Sequence, residues 1–171
     1  MMVQNTSLPG VLLIKLEGFE DHRGEYVELY NRRLYGSNGI DIDFVEDDIS
    51  IATRGVIKGI HGDSMTWKLI SCLHGKFYLV VINYDEGSKD FGKWESFVLS
   101  ESNKLQVLVP PKHGNGHLCL SEKSLFHYKQ SEYYEPSRQF TIKWNDPRFD
   151  IWWPVKNPIL SMRDEFVNFV K

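Results

Sequence analysis

KLISCLHGKFYLVVI, from Lys68 to Ile82, decides the fold class. It holds two short runs, Lys68 to Leu73 and Phe77 to Ile82, rich in β-branched and aromatic residues and parted by the turn signal His74-Gly75. Runs of this length and composition between turn residues read as strands. Phe77 to Ile82 is apolar at every position, which predicts a central strand buried on both faces. Working outward, similar segments recur at Val11 to Leu16, Glu25 to Tyr30, Ser96 to Leu99, Leu105 to Val109 and Leu125 to Gln130, with further turns at Arg54-Gly55 and Glu86-Gly87. Glu25 to Tyr30 sets Glu25, Val27 and Leu29 against Tyr26, Glu28 and Tyr30, a strand with one polar face. This spacing predicts an all-β sandwich or barrel. A helix is expected only late, where Ser161 can cap a segment that turns Phe166, Val167 and Val170 to one side.

The bulk numbers bound the function. With 171 residues, 42% of them hydrophobic, the chain suits a single domain over residues 1–171 that buries about two thirds of its unfolded surface. A net charge of -3 provides no basic stripe for a phosphate backbone, so nucleic acid is not an expected partner. Met1 to Asn5 has no charged start followed by an apolar stretch, and no apolar run nears the roughly 20 residues of a membrane span, so a cytoplasmic location without membrane attachment is expected. Cys72 and Cys119 are the only cysteines and lack Cys-x-x-Cys spacing, which points to free, buried thiols.

Several stretches in order then carry a resemblance to one family. They are Asp21-His22-Arg23-Gly24 with Glu28, the strand Arg54-Gly55-Val56-Ile57-Lys58-Gly59-Ile60-His61, and Lys68. Gly87-Ser88, Phe91-Gly92 and Trp94 follow, then Tyr128-Lys129 through Tyr133-Tyr134 and Pro136, Trp153-Pro154, and Pro158-Ile159-Leu160-Ser161 with Asp164. Taken together they resemble the dTDP-4-dehydrorhamnose 3,5-epimerase family over nearly the whole chain. The resemblance implies a double-stranded β-helix or jelly roll (cupin) with a short C-terminal helix. It also implies a homodimer with exchanged N-terminal strands and a nucleoside-diphospho-4-keto-6-deoxy sugar as substrate, with no cofactor and no metal.

The residue types suit that chemistry. A proton beside a ketone leaves only if a base is near and the developing enolate oxygen meets a positive or hydrogen-bonding group, and inversion needs an acid on the other face of the ring. His61 suits the base, Lys68 the enolate stabiliser and Tyr128 the acid, with Asp164 orienting the imidazole. Each also has an ordinary reading: a structural histidine, a lysine snorkelling to solvent, a core tyrosine and a first-turn helix acid. The resemblance further implies that Arg23 meets the diphosphate, that Tyr134 stacks on the nucleobase, and that Arg23 and Glu28 are lent to the neighbouring chain's cavity.

The chain departs from the family pattern at Lys58, where arginine is usual and a bidentate fork is lost, and in the shorter loop Gly62 to Trp67. It departs again at Asn115, which takes a histidine position, so that a second imidazole is missing or displaced. Lys58 and Asn115 therefore stand as substrate-binding positions with altered contacts. Related epimerases of capsule pathways act on GDP-linked 4-keto-heptoses, and the altered loop fits such a larger, differently based substrate, which is favoured here over dTDP-sugars. Rival readings are a metal-dependent cupin oxygenase or isomerase, a 3,4-ketoisomerase and a non-catalytic sugar-nucleotide-binding module. His113 and His117 are four apart, but Pro110-Pro111 and Gly114-Asn115-Gly116 read as a strand-entry turn rather than a helical metal pair.

Overall fold

A computed structural model describes residues 1–167. Its strands are β1 (Met2–Asn5), β2 (Leu12–Lys15), β3 (Gly18–Asp21), β4 (Gly24–Val27), β5 (Glu46–Thr53), β6 (Ile57–Gly62), β7 (Lys68–His74), β8 (Lys76–Asn83), β9 (Trp94–Ser100), β10 (Leu105–Val109), β11 (His113–Cys119), β12 (Lys123–Gln130) and β13 (Phe140–Thr141). Two short α-helices, α1 (Arg32–Ser37) and α2 (Met162–Phe166), and a 3-10 turn at Pro136–Arg138 complete the described elements. A six-stranded sheet runs β1-β2-β10-β7-β12-β5, and a five-stranded sheet runs β13-β6-β11-β8-β9. The pairings between these strands are antiparallel, and one isolated parallel bridge joins Val56 to Ile159. The fold is the expected all-β jelly roll.

The doubly apolar stretch explains how the layers stack. Phe77, Leu79 and Val81 of β8 join Ile70, Cys72, Val107 and Phe126 in the core between the sheets. Tyr78, Val80 and Ile82 point the other way, into a second cluster with Ile142, Phe149, Ile151 and Trp153 of the C-terminal segment. Leu69 and Leu108 on the outer face of the larger sheet are covered by Tyr35, Ile40 and their neighbours. Full burial of one such side chain contributes about 1.5–3 kcal/mol, so β8 is apolar on both faces because it is buried on both. Cys72 and Cys119 are free and buried.

Three local expectations are corrected. The segment Glu25 to Tyr30 is not one strand of a main sheet: β4 ends at Val27 and pairs only with β3, in a separate hairpin that leaves Phe19 and Tyr26 exposed. Leu29 and Tyr30 pack instead against the covered outer face of the larger sheet. The stretch Gly114-Asn115-Gly116 is not a turn but lies within β11, and the turn is at Pro111 and Lys112. Glycine serves there because a Cβ on Gly114 would come within 2.7 Å of Ile60 Cγ2. Finally, α2 does begin at the Ser161 cap, whose hydroxyl accepts from the Asp164 amide, but its buried residue is Asp164, while Phe166 is exposed. Val170 lies outside the described residues.

The helix α1 was unexpected. Asn31 nucleates it by accepting the Arg33 and Leu34 amides, and Tyr35 is buried with its hydroxyl donating to the Leu29 carbonyl at 3.0 Å. No helix among the described residues is long and apolar enough to cross a membrane.

Candidate active site

A cavity of about 370 Å³ opens between the two sheets. The smaller sheet contributes Lys58, His61, Asn115 and His117, and the larger contributes Ser50, Lys68, Phe126, Tyr128 and Gln130. Tyr134 and Gln139 follow β12, and Ser161, Arg163 and Asp164 close the cavity from α2 and its cap.

Register places these side chains. On β12, Gln130 lies opposite Lys68 and Tyr128 opposite Ile70, so alternate residues Phe126, Tyr128 and Gln130 share the inward face. On the facing sheet His61 is opposite Asn115, and a bulge then brings Lys58 opposite His117. The glycine of the Lys58-Gly59-Ile60-His61 stretch allows this. Gly59 has φ +114, and a Cβ there would stand 2.7 Å from both Asn115 O and Gly116 Cα.

His61 Nε2–H donates to Asp164 Oδ1 at 2.6 Å. Asp164 is almost fully buried, and its Oδ2 accepts the Ser161 hydroxyl at 3.0 Å and the Gly59 amide at 3.4 Å. Burial alone would raise this carboxyl, but the His61 hydrogen bond and charge, with Ser161 and Gly59, outweigh it and hold it below the usual range. An ionised carboxylate only accepts, so it fixes the proton on His61 Nε2 and leaves Nδ1 with its lone pair. An imidazole in that tautomer is a base.

Lys68 is buried, contrary to a side chain snorkelling to solvent, and its Nζ donates to Asn115 Oδ1 at 3.4 Å. Burial lowers its pKa, opposed by the negative charge of Asp63 and assisted by the positive charge of Arg163. Asp63 in turn is held in a tight turn, accepting the Met65 and Thr66 amides at 2.8 and 2.7 Å and Gln139 Nε2 at 2.9 Å. The loop Gly62 to Trp67 thus supplies no wall of the cavity itself, but through Asp63 it seats Gln139, which does. The Tyr128 hydroxyl is pushed up to about 12, first by burial and then by the charges of Asp48 and Glu46, so the phenol keeps its proton at neutral pH.

The whole chain can be set beside known proteins. Residues 5–171 match the family model for dTDP-4-dehydrorhamnose 3,5-epimerase. The enzyme of that name from Shigella flexneri is 34% identical over 168 residues, covering 96% of this chain and 93% of its own. The chain belongs to the dTDP-4-dehydrorhamnose 3,5-epimerase family. The Bacillus anthracis family member, solved with TDP and PPi bound, superposes with a TM-score of 0.94 at 32% identity, covering 99% of each chain. The Legionella pneumophila member, in complex with dTDP-4-keto-L-rhamnose, gives 0.93 at 32% identity over 98% of this chain and 92% of its own. Family membership makes the protein an isomerase, and the fold is the cupin fold of these neighbours.

Within this family member, His61, Lys68, Tyr128, Asp164, Lys58, Asn115 and Tyr134 all border one cavity. Lys58 is already engaged, donating to Ser50 Oγ at 2.6 Å and to the Ile51 carbonyl at 3.0 Å. Tyr134 is half exposed at the rim. Arg23 and Glu28 do not border the cavity of their own chain: Arg23 is exposed and paired with Asp21, and Glu28 accepts from Asn31 Nδ2. The hairpin that carries Arg23 is ladder-bonded to neither main sheet.

Sequence reasoning missed Arg163, Gln139, Gln130, Ser50 and His117. For Arg163 the signal was available, since it precedes Asp164 in the same capped turn and donates to Thr141 Oγ1 at 2.8 Å beside the cavity. Asn115 itself borders the cavity, and an imidazole, that of His117, borders it two residues further on. Among the described residues no group of three His, Cys, Asp or Glu is arranged to hold a metal ion.

Proposed function

We propose that this protein inverts carbon 3, carbon 5 or both of a nucleoside-diphospho-4-keto-6-deoxy sugar, and that residues 1–171 form one catalytic domain. The observation that carries the reading is the pairing at 2.6 Å of His61, on the smaller sheet, with Asp164 of α2, facing Tyr128 and Lys68 on the larger sheet across the cavity. His61 Nδ1 takes the proton from the carbon beside the ketone. The C–H electron pair becomes the enolate double bond, and the carbonyl electrons move onto oxygen, where the Lys68 ammonium meets the charge. Tyr128 gives its hydroxyl proton to the opposite face of the same carbon. Solvent then returns a proton to the phenolate and removes one from the imidazolium. Asp164 positions His61 and stabilises its charged form.

Tyr134 and Arg163 suit the nucleobase and diphosphate at the rim. In a homodimer with exchanged N-terminal strands, Arg23 and Glu28 would complete the neighbour's site, a reading supported by their place outside their own cavity. The ligands named in the Bacillus and Legionella structures favour a dTDP-linked substrate. A GDP-linked 4-keto-heptose is the second reading, favoured by Lys58 and Asn115, whose side chains offer different contacts from the family's arginine and histidine. Incubation in deuterium oxide with dTDP-4-keto-6-deoxyglucose and with GDP-4-keto sugars tests both. Deuterium at carbon 3 or 5 accompanied by inversion is expected, and no exchange with any 4-keto sugar nucleotide would refute the epimerase reading.

A further inference from the structure

His117 has no part in the proton transfers above, yet it borders the cavity. It is only 3% exposed and stacks flat on Phe126, with ring centroids 4.1 Å apart and planes 8° from parallel. Phe77 tilts against its other side at 5.3 Å. Its Nε2 is buried with no hydrogen-bond partner, whereas Nδ1 is not among the buried unpartnered atoms, and since the residue lines the cavity Nδ1 is the nitrogen we assign to a ligand. Nearby Lys58 donates to Ser50 and Ile51 rather than to this ring. Burial, followed by the neighbouring Lys58 and His61, lowers the imidazole to about 3, so it is neutral near pH 7 and acts as one donor and one acceptor.

A phenylalanine would fill this place without desolvating two polar nitrogens, so a packing role alone does not account for histidine here. Its position along the cavity says what it can meet. Tyr128 lies one inward place beyond Gln130 on β12, and Phe126 one beyond Tyr128, each step about 6.6–7 Å along the strand. With the nucleotide at Tyr134 and the reacting carbons beside Tyr128 and His61, Phe126 and His117 face the end of the sugar furthest from the diphosphate.

We propose that His117 is a specificity residue whose imidazole hydrogen-bonds a hydroxyl at the distal end of the sugar, which selects the second of the two substrate readings above, a 4-keto-heptose ending in a hydroxyl, over a 6-deoxyhexose, which ends in a methyl group. A hydroxyl both donates and accepts, and so it satisfies either imidazole tautomer. The proposal rests on the epimerase reading for the orientation of the ligand, but its test does not need turnover.

Calorimetric titration with inert pairs that differ only at carbon 6 serves: GDP-mannose against GDP-6-deoxymannose, and dTDP-glucose against dTDP-6-deoxyglucose. The wild-type protein should bind the hydroxylated member of its preferred pair about tenfold more tightly, the worth of one buried hydrogen bond. His117→Phe, which keeps the stack on Phe126, should abolish or reverse that preference, and His117→Asn, which keeps an amide near the place of Nδ1, should retain part of it. Affinity for the nucleoside diphosphate alone should be the same in all three, which also confirms that each variant is folded. Equal binding of both members by the wild type, or a preference that survives His117→Phe, would overturn the proposal. Absent deuterium exchange would instead refute the epimerase reading, which is scored separately.

Discussion

Asp164→Asn isolates the part of the mechanism that the structure defines most closely. The wild-type carboxylate accepts His61 Nε2–H at 2.6 Å, is 3% exposed, and lies below the ordinary carboxylate range despite its burial. A hydrogen bond to a charged group is worth about 1.5–3 kcal/mol, and it strengthens when proton abstraction turns His61 into an imidazolium. At 1.36 kcal/mol per tenfold, kcat should fall roughly 10- to 150-fold. Because the face served by Tyr128 is untouched, deuterium uptake and inversion should fall by the same factor, measured together by NMR of the product formed in deuterium oxide. The variant should also lose an acid-sensitive part of its stability. The folded pKa of Asp164 is depressed, so its stabilisation is fully present above the unfolded value of about 4 and is lost as pH falls through the folded value. Melting temperatures of wild type and variant should therefore converge as pH drops below about 4. An unchanged kcat, or exchange that falls while inversion does not, would refute the assignment of Asp164 as the residue that positions the base.

Lys68→Ala should cost about 3 kcal/mol or more in kcat/KM, carried by kcat, because the enolate oxygen loses its donor; a loss confined to KM would remove Lys68 from that role. Gly62→Ala should destabilise the fold by roughly 1–3 kcal/mol in urea titration, since its Cβ would lie 2.4 Å from the His113 carbonyl oxygen and 2.5 Å from Phe140 Cζ; an effect under about 0.5 kcal/mol would show that β6 and β11 can part there. Mixing an Arg23 variant with a His61 variant should restore part of the activity if each site borrows Arg23 from its neighbour, and none despite subunit exchange would return that residue to its own chain.

The strands legible in the sequence were those whose apolar pattern reflects burial, above all Phe77 to Ile82, which packs on both faces. β5 was not legible because Glu46, Asp47 and Asp48 give it a polar start, and Ile49 and Ile51 lie exposed on the face opposite the cavity-lining Ser50. β11 hid behind its own glycines, which read as a turn but are required by the close approach of Ile60. The helix α1 depends on one cap, Asn31, and on tertiary cover for Tyr35, neither of which forms a periodic signal. Of the site, the motif residues His61, Lys68, Tyr128, Tyr134 and Asp164 border one cavity while Arg23 and Glu28 do not, and Ser50, Gln130 and His117 reach it only through strand register, which a linear reading does not supply.

The measurement closest to the central claim is the ratio of deuterium washed into starting material to deuterium in the epimer, in Tyr128→Phe. His61 and Tyr128 stand on opposite sheets across one cavity, so losing the phenol should leave His61 able to remove a proton and return a deuteron to the same face. The account predicts labelled starting material in excess of labelled epimer, while in His61→Asn both signals fall together by roughly 10²- to 10⁴-fold. If Tyr128→Phe abolished exchange altogether while His61→Asn exchanged at the wild-type rate, the base would be the tyrosine and the account would be contradicted.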